Sequence, residues 1–121
     1  MDNLNSVEIK AFVPAKDFAL SKRFYQDVGF VMASDAAGVA YFHHGQCSFL
    51  LQDYFPPTLA DNLMLHWLVE DVAAWHERLT RQALVETYQV TMTDIVEQPW
   101  GMREFCLFDP SGVLWRIAQN N

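Results

Sequence analysis

A chain of 121 residues that is 51% hydrophobic is long enough for one domain with a sizeable core and too short for two independent domains. Its 15 acidic residues outnumber its 8 basic residues, and the net charge of -7 disfavours nucleic acid and anionic membrane surfaces while favouring cationic ligands. The N-terminus does not resemble a signal peptide, and no apolar run approaches the ~20 residues that span a bilayer, so we expect a cytoplasmic protein.

The first half of the chain predicts one strand, one helix and three further strands. An apolar run over residues 7–13 predicts the first strand. Asp17 is positioned to cap a helix that ends at Gly29, with Leu20, Phe24 and Val28 on one apolar stripe. Further strands are predicted over residues 30–33, 38–43 and 47–52.

The second half repeats this order after a segment with the composition of a linker, residues 54–62. A strand is predicted over 63–69, then a helix capped by Asp71, then strands over 90–96, 103–108 and 113–118. A turn, Asp109-Pro110-Ser111-Gly112, separates the last two strands. The prediction is a single α+β domain, residues 1–121, built from two βαβββ modules at about 7–53 and 63–119.

Alternation within the strands predicts which side chains face the helices, because successive strand residues point to opposite sides. Leu63, Leu65, Trp67 and Val69 are predicted on the helix side, together with Ile9, Ala11, Val13, Val113, Trp115 and Ile117. Met64, His66 and Leu68 are predicted on the opposite side. Cys47 and Cys106 lie in apolar runs and are predicted to be small core residues rather than a disulfide or a metal pair.

The paired modules, together with "KRFYQDVGF" and "DPSGVLWRIAQ", resemble the vicinal oxygen chelate superfamily, the glyoxalase/bleomycin resistance/dioxygenase group. The stretches "DNLMLHWLVEDVAAW" and "EQPWGMREFCLFDPSG" resemble the bleomycin resistance proteins within that group. The resemblance implies that the two modules form a cupped mixed sheet with helices on its convex face. It also implies a homodimer with two ligand clefts between the chains.

Enzymes of this superfamily hold a divalent metal on the concave face with His, Gln or Glu from the first and fourth strands of each module. The matching positions of this chain carry Lys10, Met64 and Arg116, none of which suits a hard divalent ion. His43 and His44 are adjacent on a strand, so they point to opposite faces and do not grip one ion together. We therefore expect no metal and no cofactor.

The resemblance implies a metal-free binding protein that sequesters a planar, cationic antibiotic of the bleomycin type. Trp100, on its Pro99–Gly101 corner, is expected to stack on the ligand. His66 and Asp61 are the next candidates. The remaining candidate ligand-binding residues are Phe12, Tyr41, Phe49, Leu50, Gln52, Met64 and Arg116.

Several alternatives stay open at this point. The protein could be a cofactor-independent lyase or isomerase that uses His66, or a dimeric domain whose cleft is vestigial. Arg103 and Glu104 are interpreted as an ion pair that pins the Trp100 loop, with a ligand-facing pair as the alternative. Lys10 and Arg116 place two positive charges on the face proposed for a cationic drug. Either Glu8 or another carboxylate neutralises them, or the ligand is neutral or anionic.

Overall fold

The computed structural model describes residues 2–121, and its first half follows the predicted order of elements. The elements are β1 (Phe12–Pro14), α1 (Phe18–Val28), β2 (Val31–Ala36), β3 (Val39–His44) and β4 (Cys47–Gln52). The Asp17 side chain caps α1 by accepting a hydrogen bond from the Leu20 N–H at 3.1 Å, and Gly29 ends the helix. The strand order is β1-β4-β3-β2, with β1 parallel to β4.

The second half repeats this arrangement with two additional short helices. Its elements are α2 (Pro57–Asn62), β5 (Met64–Leu68), α3 (Val72–Arg81), α4 (Leu84–Tyr88), β6 (Val96–Gln98), β7 (Met102–Phe108) and β8 (Leu114–Asn120). Asp71 caps α3 through the Ala74 N–H at 3.0 Å. The strand order β5-β8-β7-β6 matches that of the first half. The α+β class and the repeated unit are confirmed, with the eight strands grouped in two four-stranded mixed sheets.

The first strand is much shorter than predicted. Only Phe12–Pro14 pairs with β4, and residues 2–11 run outside the sheet. The side chains of Val7 and Ile9 are 96% and 95% exposed, so the prediction that Ile9 and Ala11 face the helices is wrong. The alternation at 7–13 favours a strand, but a strand also needs a neighbouring strand with which its backbone can pair. Residues 2–11 are not paired in register with any strand of their own chain.

Two other predicted boundaries are corrected. The predicted linker contains α2, which Pro57 starts at a position where a helix does not need its missing N–H. The predicted strand over 90–96 is irregular up to β6, with Met92 bridging Leu107 in isolation. Val90 and Met92 pack on the core, which explains their apolar spacing without a strand. No helix within residues 2–121 combines the length and apolar character needed to cross a bilayer.

A single aromatic core joins the two halves. Tyr25 of α1 lies 4.8 Å from the Phe49 ring and 5.6 Å from the Trp115 ring, between ring centroids. Phe30 contacts Trp67 of the second half at 4.8 Å. Most of the helix-facing side chains predicted beyond residue 12 are buried in this core, namely Val13, Trp67, Val113, Trp115 and Ile117. Each sheet therefore has one covered face and one face turned away from the core, which we call its open face.

Candidate functional site

The open face of the first sheet carries four of the predicted ligand-binding side chains. Phe12, Leu50 and Tyr41 lie side by side on β1, β4 and β3, because Leu50 is the register partner of both Phe12 and Tyr41. Gln52 lies two residues along β4 on the same face. Phe12 is about half exposed, and the other three are partly exposed.

Phe49 does not belong to this group. Its side chain is 1% exposed and packs in the core, 5.4 Å from the Phe42 ring and 5.2 Å from the Trp115 ring. Phe49 and Leu50 are consecutive strand residues, so their side chains point to opposite faces of the sheet. The prediction that Phe49 lines the open face together with Leu50 is therefore wrong.

The N-terminal segment lies over this open face and is attached through Glu8. The Glu8 carboxylate accepts hydrogen bonds from Lys10 Nζ at 2.8 Å, from the Tyr41 hydroxyl at 2.8 Å and from the Ser48 hydroxyl. The bond from Lys10, followed by those from Ser48 and Tyr41, lowers the pKa of Glu8 to about 2. The charge of Lys10 is thus neutralised by Glu8. A cavity of about 640 Å³ remains between this segment and β3 and β4.

Trp100 lies on a three-residue hairpin loop between β6 and β7. Gln98 and Met102 are the last paired residues, and the Gly101 N–H donates to the Gln98 carbonyl at 3.2 Å. Pro99 fixes the backbone angle at the first bend. Gly101 has a φ of 83°, a conformation that residues with a side chain rarely adopt. This loop leaves the Trp100 ring 56% exposed.

Beside Trp100, on the open face of the second sheet, Arg116 forms a two-point ion pair with Glu104. Arg116 Nε lies 2.7 Å from Glu104 Oε2, and Arg116 Nη2 lies 2.5 Å from Glu104 Oε1. This hydrogen bonding lowers the pKa of Glu104 and raises the pKa of Arg116. The guanidinium carbon lies 5.6 Å from the Trp100 ring centroid, and Nη1 lies 3.8 Å from Met64 Sδ.

The predicted pairing of Arg103 with Glu104 is wrong. Arg103 instead pairs with Glu97 of β6 at 3.3 Å. Sequence reasoning missed Glu104 as the partner of Arg116, although the Asp109–Gly112 turn contains the necessary signal. Counting back from this turn along β7 and forward along β8 places Glu104 opposite Ala118, and therefore diagonal to Arg116.

Met64 and His66 also lie on the open face of the second sheet, where His66 is the register partner of Arg116. Met64, His66, Arg116 and Trp100 are thus brought together. Asp61 lies on α2 and is exposed. Within residues 2–121, no hydrogen bond or ion pair joins the candidates of the second sheet to those of the first.

The described residues, 2–121, contain no group of three His, Cys, Asp or Glu side chains close enough to hold a metal ion. The carboxylates beside two of the predicted metal positions are both engaged in ion pairs, Glu8 with Lys10 and Glu104 with Arg116. His44 contacts Trp67 and Trp75, whereas His43 lies beside Tyr41 on the opposite face of β3. Both cysteines are free thiols, and the prediction that they are core residues is wrong. Cys47 is exposed, and Cys106 is half-buried on the open face opposite Arg116.

The sequence matches the family model of the Glyoxalase/Bleomycin resistance protein/Dioxygenase superfamily over residues 4–117. A comparison with curated protein sequences found no match. Among solved structures, a bleomycin-binding protein complexed with bleomycin is 23% identical, with a TM-score of 0.82, covering 96% of this chain and 100% of that one.

Two further structures are similar. The bleomycin-binding protein from bleomycin-producing Streptomyces verticillus, complexed with copper(II)-bleomycin, is 23% identical with a TM-score of 0.81, covering 98% of this chain and 100% of that one. TnmS3, an antibiotic binding protein from Streptomyces sp. CB03234, is 25% identical with a TM-score of 0.78 and the same coverage.

Proposed function

Because this chain belongs to the Glyoxalase/Bleomycin resistance protein/Dioxygenase superfamily, we propose that it binds and sequesters a planar antibiotic of the bleomycin type without transforming it. The observation that carries this proposal is the Trp100 ring, held on a tight hairpin loop and 56% exposed beside Arg116. A flat aromatic surface held in place loses little freedom when a planar ligand stacks on it. Structures named for bleomycin and antibiotic binding share its fold.

The charges on the two open faces support a binding role for a cationic molecule. Lys10 is paired with Glu8 and Arg116 with Glu104, so neither leaves an uncompensated positive charge on its face. The chain as a whole carries a net charge of -7, which attracts a cationic ligand over distance. The objection that two basic side chains would repel such a ligand is thereby removed.

The same ion pair supports binding rather than metal-dependent chemistry. A guanidinium at the fourth-strand position repels a divalent cation, and it occupies both oxygens of the neighbouring carboxylate. The Glu104 carboxylate, the charged group near His66, has both oxygens engaged by Arg116 and is therefore not available to orient the imidazole as a general base. We therefore assign His66 to ligand contact and propose no catalytic function.

We further propose that the protein acts in the cytoplasm as a homodimer, with each ligand held between two chains. In this arrangement the open face of the second sheet of one chain lies opposite the open face of the first sheet of its partner. Large apolar side chains stand exposed on both faces and on the N-terminal segment, as expected of surfaces that a second copy covers. They are Leu4, Val7, Ile9, Phe12, Met64 and Leu68.

In this proposal the ligand contacts come from two sets of side chains. One chain supplies Trp100, Met64, His66 and Arg116, with Asp61 as a more distant candidate on α2. The partner copy supplies Phe12, Tyr41, Leu50 and Gln52. Light scattering coupled to gel filtration tests the dimer directly, and a monomer at ten micromolar protein would contradict it.

Isothermal titration calorimetry with metal-free bleomycin tests the binding function. We expect saturable binding of one ligand per chain and a loss of at least about tenfold in affinity for Trp100→Ala, because a stacking contact and its buried area are removed. Tyr54→Ala is a matched control, since Tyr54 is 57% exposed and outside the candidate site. If bleomycin and a panel of planar cationic, neutral and anionic compounds all fail to bind, the proposal is wrong.

A further inference from the structure

We propose that Glu104 is a positioning residue for the ligand site: it holds the Arg116 guanidinium over one face of the Trp100 ring and so favours the ring orientation on which the ligand stacks. The identity of the ligand in this inference rests on the proposed function. The geometry rests on the contacts among Glu104, Arg116 and Trp100. It assigns a binding role to a residue that does not itself touch the ligand.

The first step is the geometry of the ion pair. Glu104 lies on β7 and Arg116 on β8, and they are offset by two register positions, which leaves both on the same open face. Both carboxylate oxygens accept from the guanidinium, at 2.7 and 2.5 Å, which fixes the guanidinium plane as well as its position. Arg116 Nη1 is directed to Met64 Sδ at 3.8 Å. A side chain with many rotatable bonds is thereby held in one conformation.

The second step is the contact between Arg116 and Trp100. The guanidinium carbon lies 5.6 Å from the Trp100 ring centroid, within the range of a cation–π contact. Trp100 sits on a hairpin loop, and its ring has few other neighbours, as its exposure of 56% indicates. The contact with Arg116 therefore favours one orientation of the ring.

The third step is the burial of Glu104. Its side chain is 3% exposed, beneath the guanidinium, whereas the free face of the Trp100 ring is turned to solvent. A ligand that stacks on this free face does not reach the carboxylate. Any effect of Glu104 on affinity consequently passes through Arg116 and Trp100.

The arrangement also favours a particular chemical group at the ring. One face of the Trp100 π system already holds a cation, so a second cation on the free face gains less from the same electron density. A planar aromatic group without formal charge avoids this conflict. We infer that the neutral planar part of a ligand stacks on Trp100 and that any cationic part lies elsewhere.

The test begins with the protein free of ligand. In ¹⁵N relaxation measurements, the indole N–H of Trp100, assigned through its loss in Trp100→Phe, should show a rigid side chain in the wild type. Glu104→Gln should lower its order parameter, because a neutral amide no longer anchors the guanidinium. Arg116→Lys should have the same effect, since an ammonium lacks the planar two-point geometry.

Glu97→Gln is the matched control. It removes the same charge from the neighbouring ion pair with Arg103, in the same hairpin but on the face opposite Glu104. The order parameter of the Trp100 indole should stay at the wild-type value in this variant. Equal mobility in the wild type and in both Glu104→Gln and Arg116→Lys would overturn the proposal.

The second readout is the dissociation constant for metal-free bleomycin. Glu104→Gln should weaken binding by about three- to tenfold, the effect expected when one side chain must be ordered on binding, and Glu97→Gln should leave it unchanged. In a Trp100→Ala background the effect of Glu104→Gln should be clearly smaller, because the ring is gone and only the direct contact of Arg116 with the ligand remains. Additive losses would mean that Glu104 acts by another route and would refute the proposal.

The two proposals fail in distinguishable ways. If the wild type does not bind bleomycin or any of the planar compounds, the binding function is wrong, while the ring mobility still tests the role of Glu104. If bleomycin binds and Trp100→Ala weakens it, but Glu104→Gln changes neither ring mobility nor affinity, the binding function stands and the positioning role fails. Stronger binding of planar cations than of their neutral analogues, abolished by Trp100→Ala, would overturn the inferred preference at the ring.

Discussion

The Tyr25 hydroxyl donates a 2.5 Å hydrogen bond to Oδ2 of Asp109, which joins the first helix to the turn that precedes the last strand. The same hydroxyl accepts a hydrogen bond from Trp115 Nε1 at 2.9 Å. Both bonds are buried, and they connect the two halves of the chain at the centre of the aromatic core. A polar network of this kind is stable only when each of its members is paired.

We expect Tyr25→Phe to lower the free energy of unfolding by about 1–3 kcal/mol, because it leaves Asp109 Oδ2 and the Trp115 indole N–H without a buried partner. Urea unfolding measures the change. Tyr88→Phe is the matched control: it also removes a tyrosine–aspartate hydrogen bond, to Asp27, but at an exposed site. Its effect should be clearly smaller, and equal losses for the two variants would contradict this account.

Asp109→Asn should make the protein more sensitive to acid than the wild type. Burial raises the pKa of Asp109 above its ordinary value of 3.8, with the bonds from Tyr25 and the backbone acting in the opposite direction. Between the raised pKa and 3.8 the folded protein binds a proton that the unfolded chain has released, so this group adds stability as the pH falls. Asparagine does not titrate and lacks this gain.

Urea midpoints measured stepwise from pH 7 to pH 4 test this expectation. The difference in unfolding free energy between wild type and Asp109→Asn should grow in favour of the wild type as the pH falls through the titration of Asp109. Parallel pH curves for the two proteins would show that Asp109 has no raised pKa in the folded state.

Phe49 and Leu50 provide a paired test of which face of β4 is open. Phe49→Leu should lower the free energy of unfolding by about 1–2 kcal/mol and leave ligand affinity unchanged, because the ring is buried in the core. Leu50→Ala should have the smaller effect on stability and weaken ligand binding. Thermal unfolding measures stability, and calorimetric titration measures affinity. The reverse pattern would show that Phe49, and not Leu50, lies on the open face.

Gly101→Ala should destabilise the protein by about 1–2 kcal/mol, because Gly101 has a φ of 83° and an L side chain is disfavoured there. An added Cβ meets no atom within 4 Å, so the loss reports backbone conformation and not a steric clash. Gly101→Asn should recover part of the loss, since asparagine tolerates this conformation better. Equal stability of the alanine variant and the wild type would refute the strained-turn explanation.

The attachment of the N-terminal segment should depend on the charge of Glu8. The pKa of Glu8 is lowered to about 2, chiefly by the hydrogen bond from Lys10. The stabilisation that the ionised Glu8 gives to the attached segment is therefore complete above the ordinary pKa of 4.5 and is lost as the pH falls through about 2. Amide chemical shifts of Val7 and Ile9 should show this transition in the wild type and not in Glu8→Gln. Glu77→Gln, which breaks an exposed pair with Arg81 on α3, should leave the transition unchanged.

Much of the fold could be predicted from local patterns. The two capping aspartates, Asp17 and Asp71, mark the starts of the two long helices, because a cap acts on backbone groups two or three residues away. The alternation of side chains along the last strand likewise predicts that Trp115 and Ile117 face the core, because alternation depends only on residues that are neighbours in the chain. The residues of the Gln98–Met102 loop likewise specify its bend.

The candidate site could be predicted only in part. Trp100 was identified from its Pro-Trp-Gly corner, and Met64, His66 and Arg116 from alternation, and the structure brings these four together. Phe49 was misassigned, since an apolar aromatic residue suits either face of a strand and only the register decides between them. The sequence does not reveal the partner of Arg116, because the adjacent Arg103 is an equally plausible partner for Glu104 until the register across the sheet is known.

The sequence by itself determined the order of the elements, the positions of the helix caps and turns, and the resemblance to one superfamily, because each depends on residues close together in the chain. Only the tertiary structure decided that the segment before Phe12 leaves the sheet and that Arg116 pairs with Glu104 beneath Trp100. The physical reason is that a strand requires a partner and an ion pair requires proximity across the sheet. Both depend on how distant parts of the chain are brought into register.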